Sequence, residues 1–113
     1  MANDYKILGQ ITSTANTLSN VYVVPASSAA VVNSIHVVNT GAANASYSIA
    51  VIPSGQTIGA TTLPRFFVIR GSVIPIADSA QLDFPITLPA GAVLAANASS
   101  ATVQISAFGL EVS

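Results

Sequence analysis

Apolar and polar residues alternate with a period of two along most of this chain. The runs are rich in Val, Ile, Thr, Tyr and Phe, and Gly, Pro, Asn and Ser separate them. No sustained i, i+3, i+4, i+7 stripe breaks the pattern, and the helix formers Glu, Lys and Arg are scarce. Residues 21–24, VYVV, predict a strand stopped by Pro25, which has no N–H to give a ladder. Residues 30–39 predict a longer one, with Val31, Ile35 and Val37 on one face and Val32, Ser34, His36 and Val38 on the other. The stretch NTGAAN (39–44) is turn chemistry, with Gly41 free to take positive φ. In 46–52, Tyr47, Ile49 and Val51 point one way and Ser46, Ser48 and Ala50 the other. The two strands predict a hairpin with one buried face and one uncharged face.

PSGQTIGATTLP (53–64) reads as a loop. RFFVIRG (65–71) predicts a strand and SVIPI (72–76) another, held to an edge or a bulge by Pro75. In 80–84, Ala80, Leu82 and Phe84 oppose Gln81 and Asp83. TLPAG (87–91) is a turn into AVLAA (92–96). The last run, 101–112, puts Val103 and Ile105 on one face and Phe108, Leu110 and Val112 in the opposite phase. Either a bulge near Gly109 returns these three to the core face or the strand is buried on both sides. About eight short strands follow, with turns every eight to twelve residues or so, and they predict an all-β fold. Its form is an antiparallel β-sandwich or jelly-roll-like barrel over residues 21–113. The first twenty residues, with TSTANTLSN, read as an extended N-terminal arm. At 113 residues the chain suits one domain with its own core.

Charge sharpens this picture. Charged residues make up 6% of the chain, against about 25% in average soluble domains. They are Asp4, Lys6, Arg65, Arg70, Asp78, Asp83 and Glu111, with none between residues 7 and 64. Three cations cannot make the basic face that a nucleic-acid partner requires. No apolar run is long enough for a spanning helix, and Met1-Ala2-Asn3-Asp4 has the features of neither a leader's basic region nor its apolar one, so no membrane partner is expected. Weak repulsion between copies makes self-association the expectation, as a homo-oligomer such as a trimer.

Candidate chemistry is sparse. The chain has no cysteine, and His36 is its one histidine. A nucleophilic triad would have to combine His36 with Asp78 or Asp83, yet no serine sits in a Gly-x-Ser-x-Gly elbow. The acids form no calcium loop, and Gly55 and Gly59 stand without the lysine and helix of a phosphate loop. The sequons at Asn44 and Asn97 read as turn residues. Neither catalytic nor metal residues nor a cofactor are therefore expected, and His36 is expected as an outward strand residue. The candidate sites are interface positions: Tyr5, Ile7 and Leu8 on the arm, Ser34, His36, Ser46 and Ser48 on the uncharged hairpin face, and Arg65 and Arg70. These two arginines flank an aromatic strand, where a guanidinium can grip a neighbour's carboxylate or simply solubilise the strand ends.

YVVPASSAAVVNSIHVVNTGAANASYSIAVIPSG (22–55) resembles a segment of small virion proteins and tail-appendage domains of tailed bacteriophages, marine and cyanobacterial ones especially. ITLPAGAVLAANASSATVQISAFGLEVS (86–113) is similar to the C-terminal hairpin of the same proteins, whose aromatic-Gly-x-Glu-aliphatic ending is here Phe108 to Val112. Residues 56–85 fit only loosely. The resemblance implies a non-enzymatic virion structural protein on the particle exterior, made in the host cytoplasm, with major capsid or tail proteins as further partners. A capsid decoration or cement protein is the expectation. The alternative is a tail, neck or fibre component with a receptor- or glycan-binding role.

Overall fold

The computed structural model describes residues 3–16, 18–55, 67–83 and 85–112, and among these the chain forms nine strands and no helix. They are β1 (Asn3–Thr12), β2 (Ser19–Val23), β3 (Ala29–Asn39), β4 (Ala45–Ile52), β5 (Phe67–Ile74), β6 (Ser79–Leu82), β7 (Ile86–Leu88), β8 (Val93–Ala98) and β9 (Val103–Val112). Two antiparallel sheets pack into a sandwich. The first has the order β1-β9-β3-β6, with β7 also paired to β3, and the second β2-β8-β4-β5. With β7 set aside as a short addition to the edge, this is the strand order of a jelly roll.

The period-two pattern builds the core. Val103, Ile105 and Ala107 of β9, with Ile35 and Val37 of β3, face Tyr47 and Ile49 of β4, Leu94 of β8 and Ile74 of β5. Each large aliphatic buried here is worth about 1.5–3 kcal/mol. Three turns repeat one device: the carbonyls of Pro25, Pro75 and Pro89 accept from the N–H groups of Ser28 (3.1 Å), Asp78 (3.2 Å) and Ala92 (3.1 Å). Each proline so marks where a strand gives way to a tight turn.

Several sequence expectations change. Residues 30–52 do not make a hairpin, because β3 lies in the first sheet and β4 in the second. The NTGAAN stretch is an arch across the sandwich, and Asn39, fully buried, ties it together. Its Nδ2 donates to the carbonyls of Ala43 (2.8 Å) and Ile74 (3.2 Å), and its Oδ1 accepts from the Gly41 N–H (3.0 Å) and the Thr102 hydroxyl (3.0 Å). The described residues of the expected arm, 3–16 and 18–20, do not stand apart from the sandwich. Residues 3–12 are β1, an edge strand antiparallel to β9. Ala15 then bridges Ala98 of the second sheet, so this segment joins both layers.

The strands expected at 65–71 and 72–76 are one strand, β5, which passes through Gly71 at φ +67°. The short strand β7 occupies part of the stretch read as a turn, with Ile86 and Leu88 buried and Thr87 exposed. The rest of the loop reading at 56–64, the start of the strand at 65–66, and Phe84 lie outside the described residues.

Candidate functional site

Two bulges decide which residues the first sheet presents to the outside. In β1 the register skips between Ile7 and Gly9, and in β3 it skips between Val32 and Ser34. Leu8 and Asn33 are the extra residues, and both sit at the level of Phe108 in the strand between them. β9 itself runs without a break in its alternation. The bulge expected near Gly109 therefore belongs to the neighbouring strands, and Phe108 and Leu110 stay on the outer face, half-buried. Gly109 serves the bulge in another way. A Cβ there would lie 2.1 Å from the Val31 carbonyl oxygen, a backbone atom with no room to yield, so the close approach of β3 requires glycine. The β3 bulge also changes which residues face the core. Val32 is buried together with Ile35 and Val37, while Val31 faces outward, half-buried.

Side chains opposite one another in the register share a face, which assembles the outer surface of the first sheet. At one end Tyr5 pairs with Leu110, Ile7 with Phe108, and Val31 with Leu110 from the other side. Tyr5 is 79% exposed and Ile7 54% exposed. Between the bulges, Tyr5, Lys6, Ile7, Asn33, Phe108 and Gly109 line an open hollow of about 370 Å³, with the Lys6 ammonium itself turned to Glu111. The other end is polar but uncharged. Thr12 Oγ1 donates to Gln104 Oε1 (2.7 Å), and Gln10 lies opposite Ser106. His36 sits between Ser106 and Gln81 in the register, and its ring meets that of Phe108 edge-on at 5.0 Å between centroids. Such a pair is worth about 0.5–1.5 kcal/mol beyond its buried area.

Among the described side chains, β1, β9 and β3 present no Lys, Arg, Asp or Glu to this face. Asp83 stands at its β6 edge, where Gln81 Nε2 donates to it (2.8 and 3.0 Å). Lys6 and Glu111 alternate to the inner side of their strands and pair at 3.0 Å at the end of the sandwich. There the Tyr22 hydroxyl, from the second sheet, also donates to Glu111. These two donors hold the Glu111 carboxyl below its usual range, Tyr22 first and then Lys6. Burial, reinforced by Glu111, pushes the Tyr22 phenol well above its own.

The expected interface residues separate accordingly. Tyr5, Ile7, Ser34 and His36 come together on this face. Leu8, as the bulge residue, turns inward and joins the core. Ser46 and Ser48 lie on the outer face of the second sheet, across the sandwich, because β4 is not the hairpin partner of β3. There Ser48 Oγ accepts from the Gly71 N–H (2.9 Å), and the Ser46 N–H donates to Ser99 Oγ (2.9 Å). Arg65 lies outside the described residues, and Arg70 is described only as backbone. Phe108, Gln10, Gln104 and Ser106 belong to the face and were missed. Carrying the alternation of 103–112 through without a bulge finds the three of these that belong to β9, Gln104, Ser106 and Phe108.

No group of three or more His, Asp or Glu among the described residues is placed to hold a metal ion. Asp78 Oδ1 accepts from the Ser79 N–H (2.8 Å) at the start of β6, and Asp83 is held by Gln81. No helix among the described residues is long and apolar enough to cross a membrane. No protein-family model matches the chain, and no curated protein does.

Proposed function

We propose that this chain is a non-enzymatic structural protein of a tailed-bacteriophage particle, a capsid decoration protein that binds by packing uncharged sheet surface against its neighbours. The observation that carries this reading is the outer face of the first sheet, apolar around Tyr5, Ile7 and Phe108 and neutral beyond them. A buried charge costs several kcal/mol unless it is well paired, so another chain covers such a face at low cost. The segments that resemble virion proteins, 22–55 and 86–113, supply the end of β2 with β3 and β4, and then β7, β8 and β9, including the two central strands of this face. Jelly rolls recur in viral capsid and lectin domains, which fits the reading without assigning it, since one fold hosts many functions. The protein would be made in the host cytoplasm and carried on the particle exterior, against the major capsid protein and further copies of itself.

A second reading, a tail, neck or fibre component that binds a receptor or glycan, draws on one feature. An exposed tyrosine stands on the same face as the amides and hydroxyls of Gln10, Thr12 and Gln104, a combination suited to sugar rings. Copy counting by mass spectrometry of purified particles separates the two. Decoration of a symmetric head predicts on the order of hundreds of copies, and a neck or fibre part about a dozen or fewer. Binding on a glycan array together with the low count would replace the first reading with the second, and absence from particles would sink both.

A further inference from the structure

We propose that the outer face of the first sheet is a two-fold interface that joins two copies of this chain face to face. The inference deepens the packing reading above and rests on it for the idea that neutral sheet surface is there to be covered. Its own argument is the composition and relief of this one face.

An isologous contact sets each patch against itself, so a charge close to the axis meets its own copy. Among the described side chains, β1, β9 and β3 bring no Lys, Arg, Asp or Glu to the face, and Asp83 stands at the β6 edge. Such a surface tolerates its own copy, while it offers no charge by which to choose a strongly charged partner. Self-complementarity also requires a projection and a recess on one surface. Both are here: Tyr5, 79% exposed, stands at the rim of the hollow that the two bulges open beside Phe108. Tyr5 of the second copy is the natural filling for that hollow, with an apolar ring for Ile7 and Phe108 and a hydroxyl within reach of polar groups at the Asn33 side.

The area is of the right order. The three long strands β1, β9 and β3, with the short β6 and β7 sharing the fourth position beside β3, project roughly 600 Å² at about 4.8 Å between strands and about 3.3 Å per residue. Side-chain relief raises this toward the ~800 Å² per partner of a standard interface. Addition of a strand to the free edge of β1 is the competing geometry, and the fold works against it. The Leu8 bulge breaks the regular run of that edge, a device that discourages pairing with a further strand.

Sedimentation equilibrium of the full chain tests the proposal with two variants. Ser106→Lys places a charge in the middle of the face on the central strand β9, away from the edge, and Tyr5→Ser removes the projection. The expected result is a monomer–dimer equilibrium at micromolar concentration that each variant weakens at least about tenfold. Thermal unfolding, extrapolated to the monomer, should stay unchanged for both, since both positions face outward. A chain that stays monomeric to roughly 100 µM, one that forms trimers, or a dimer that Ser106→Lys leaves intact would each overturn the interface. Particle copy counting is the separate measure of the packing reading. Monomers found on particles defeat this inference alone, and dimers never found on particles defeat the reading alone.

Discussion

Asn39 shows how one side chain can fix a connection that a pattern of apolar residues leaves open. It is fully buried, and both hydrogens of its amide and both lone-pair sites of its oxygen are used, on four partners: Gly41 and Ala43 of the arch itself, Ile74 of β5 and Thr102 just before β9. A buried polar group is stabilising only when satisfied, and removing one partner leaves the others to bear the cost. Asn39→Ala would strand the Ala43 and Ile74 carbonyls and the Gly41 N–H, and leave a void at the end of β3. The expected loss is about 2–4 kcal/mol, measured by urea unfolding at an unchanged m-value. Asn39→Asp should cost more at neutral pH, because it sets a carboxylate oxygen against two carbonyls. Its deficit relative to Asn should shrink in acid, where a protonated oxygen can donate to one of them. Equal losses for the two variants at every pH would show that the amide fills space and does not organise the arch.

Alternation made most of the strands legible, since period two states which side chains of a strand are buried together. It says nothing about which sheet a strand joins. For that reason the pattern of 46–52 identifies a strand, with Tyr47, Ile49 and Val51 inward, while its partner is β8 of the second sheet and not the strand over 30–39. In a jelly roll, strands next to each other in sequence often sit in opposite layers and pair with distant ones, β3 with β9 and β4 with β8. Bulges were hidden for a related reason. One extra residue shifts the phase, and the glycine that betrays a bulge can lie on the strand across from it, as Gly109 does. The N-terminal segment hides its strand because LGQITSTANT is rich in polar residues, yet an edge strand needs only one buried side. Leu8 and Ile11 supply it. Removing residues 1–12 should therefore damage the fold itself. Burial of Leu8 is lost at about 1.5–3 kcal/mol and that of half-buried Ile11 at a part of this, with the β9 ladder in addition, from a domain whose total stability is of order 5–15 kcal/mol. The truncated chain is expected to lose its cooperative thermal transition by circular dichroism. A transition within a degree or two of the intact chain's would mean that β1 is dispensable.

At the scale of the whole molecule, the two sheets are joined at one end by the cluster of Lys6, Tyr22 and Glu111, the one set of described ionisable side chains that meets across the sandwich. Lys6 and Glu111 come from the first sheet and Tyr22 from the second, so the pH dependence of stability reports on sheet-to-sheet contact. The Glu111 carboxyl is lowered by its two donors, so the folded state favours its ionised form. That contribution is present above the usual carboxylate range and is lost as the pH falls through the lowered value. The Tyr22 phenol is raised, by burial first and by Glu111 second, so the folded state favours its neutral form. Its contribution is present below the usual tyrosine value and is lost as the pH rises above it. Stability should therefore form a plateau with an acid shoulder set by Glu111 and an alkaline one set by Tyr22. Thermal unfolding from roughly pH 3 to 11 checks this, with Tm expected to fall at both ends of the range. Tyr22→Phe should remove most of the alkaline shoulder and, by taking away the first donor to Glu111, weaken the acid one too. Glu111→Gln should remove the acid shoulder and soften the alkaline one, because part of the upward push on Tyr22 comes from the carboxylate. Each substitution acts on both shoulders only if the two side chains meet across the sheets, so a Tyr22→Phe variant with an unaltered acid shoulder would mean that the second sheet does not reach Glu111.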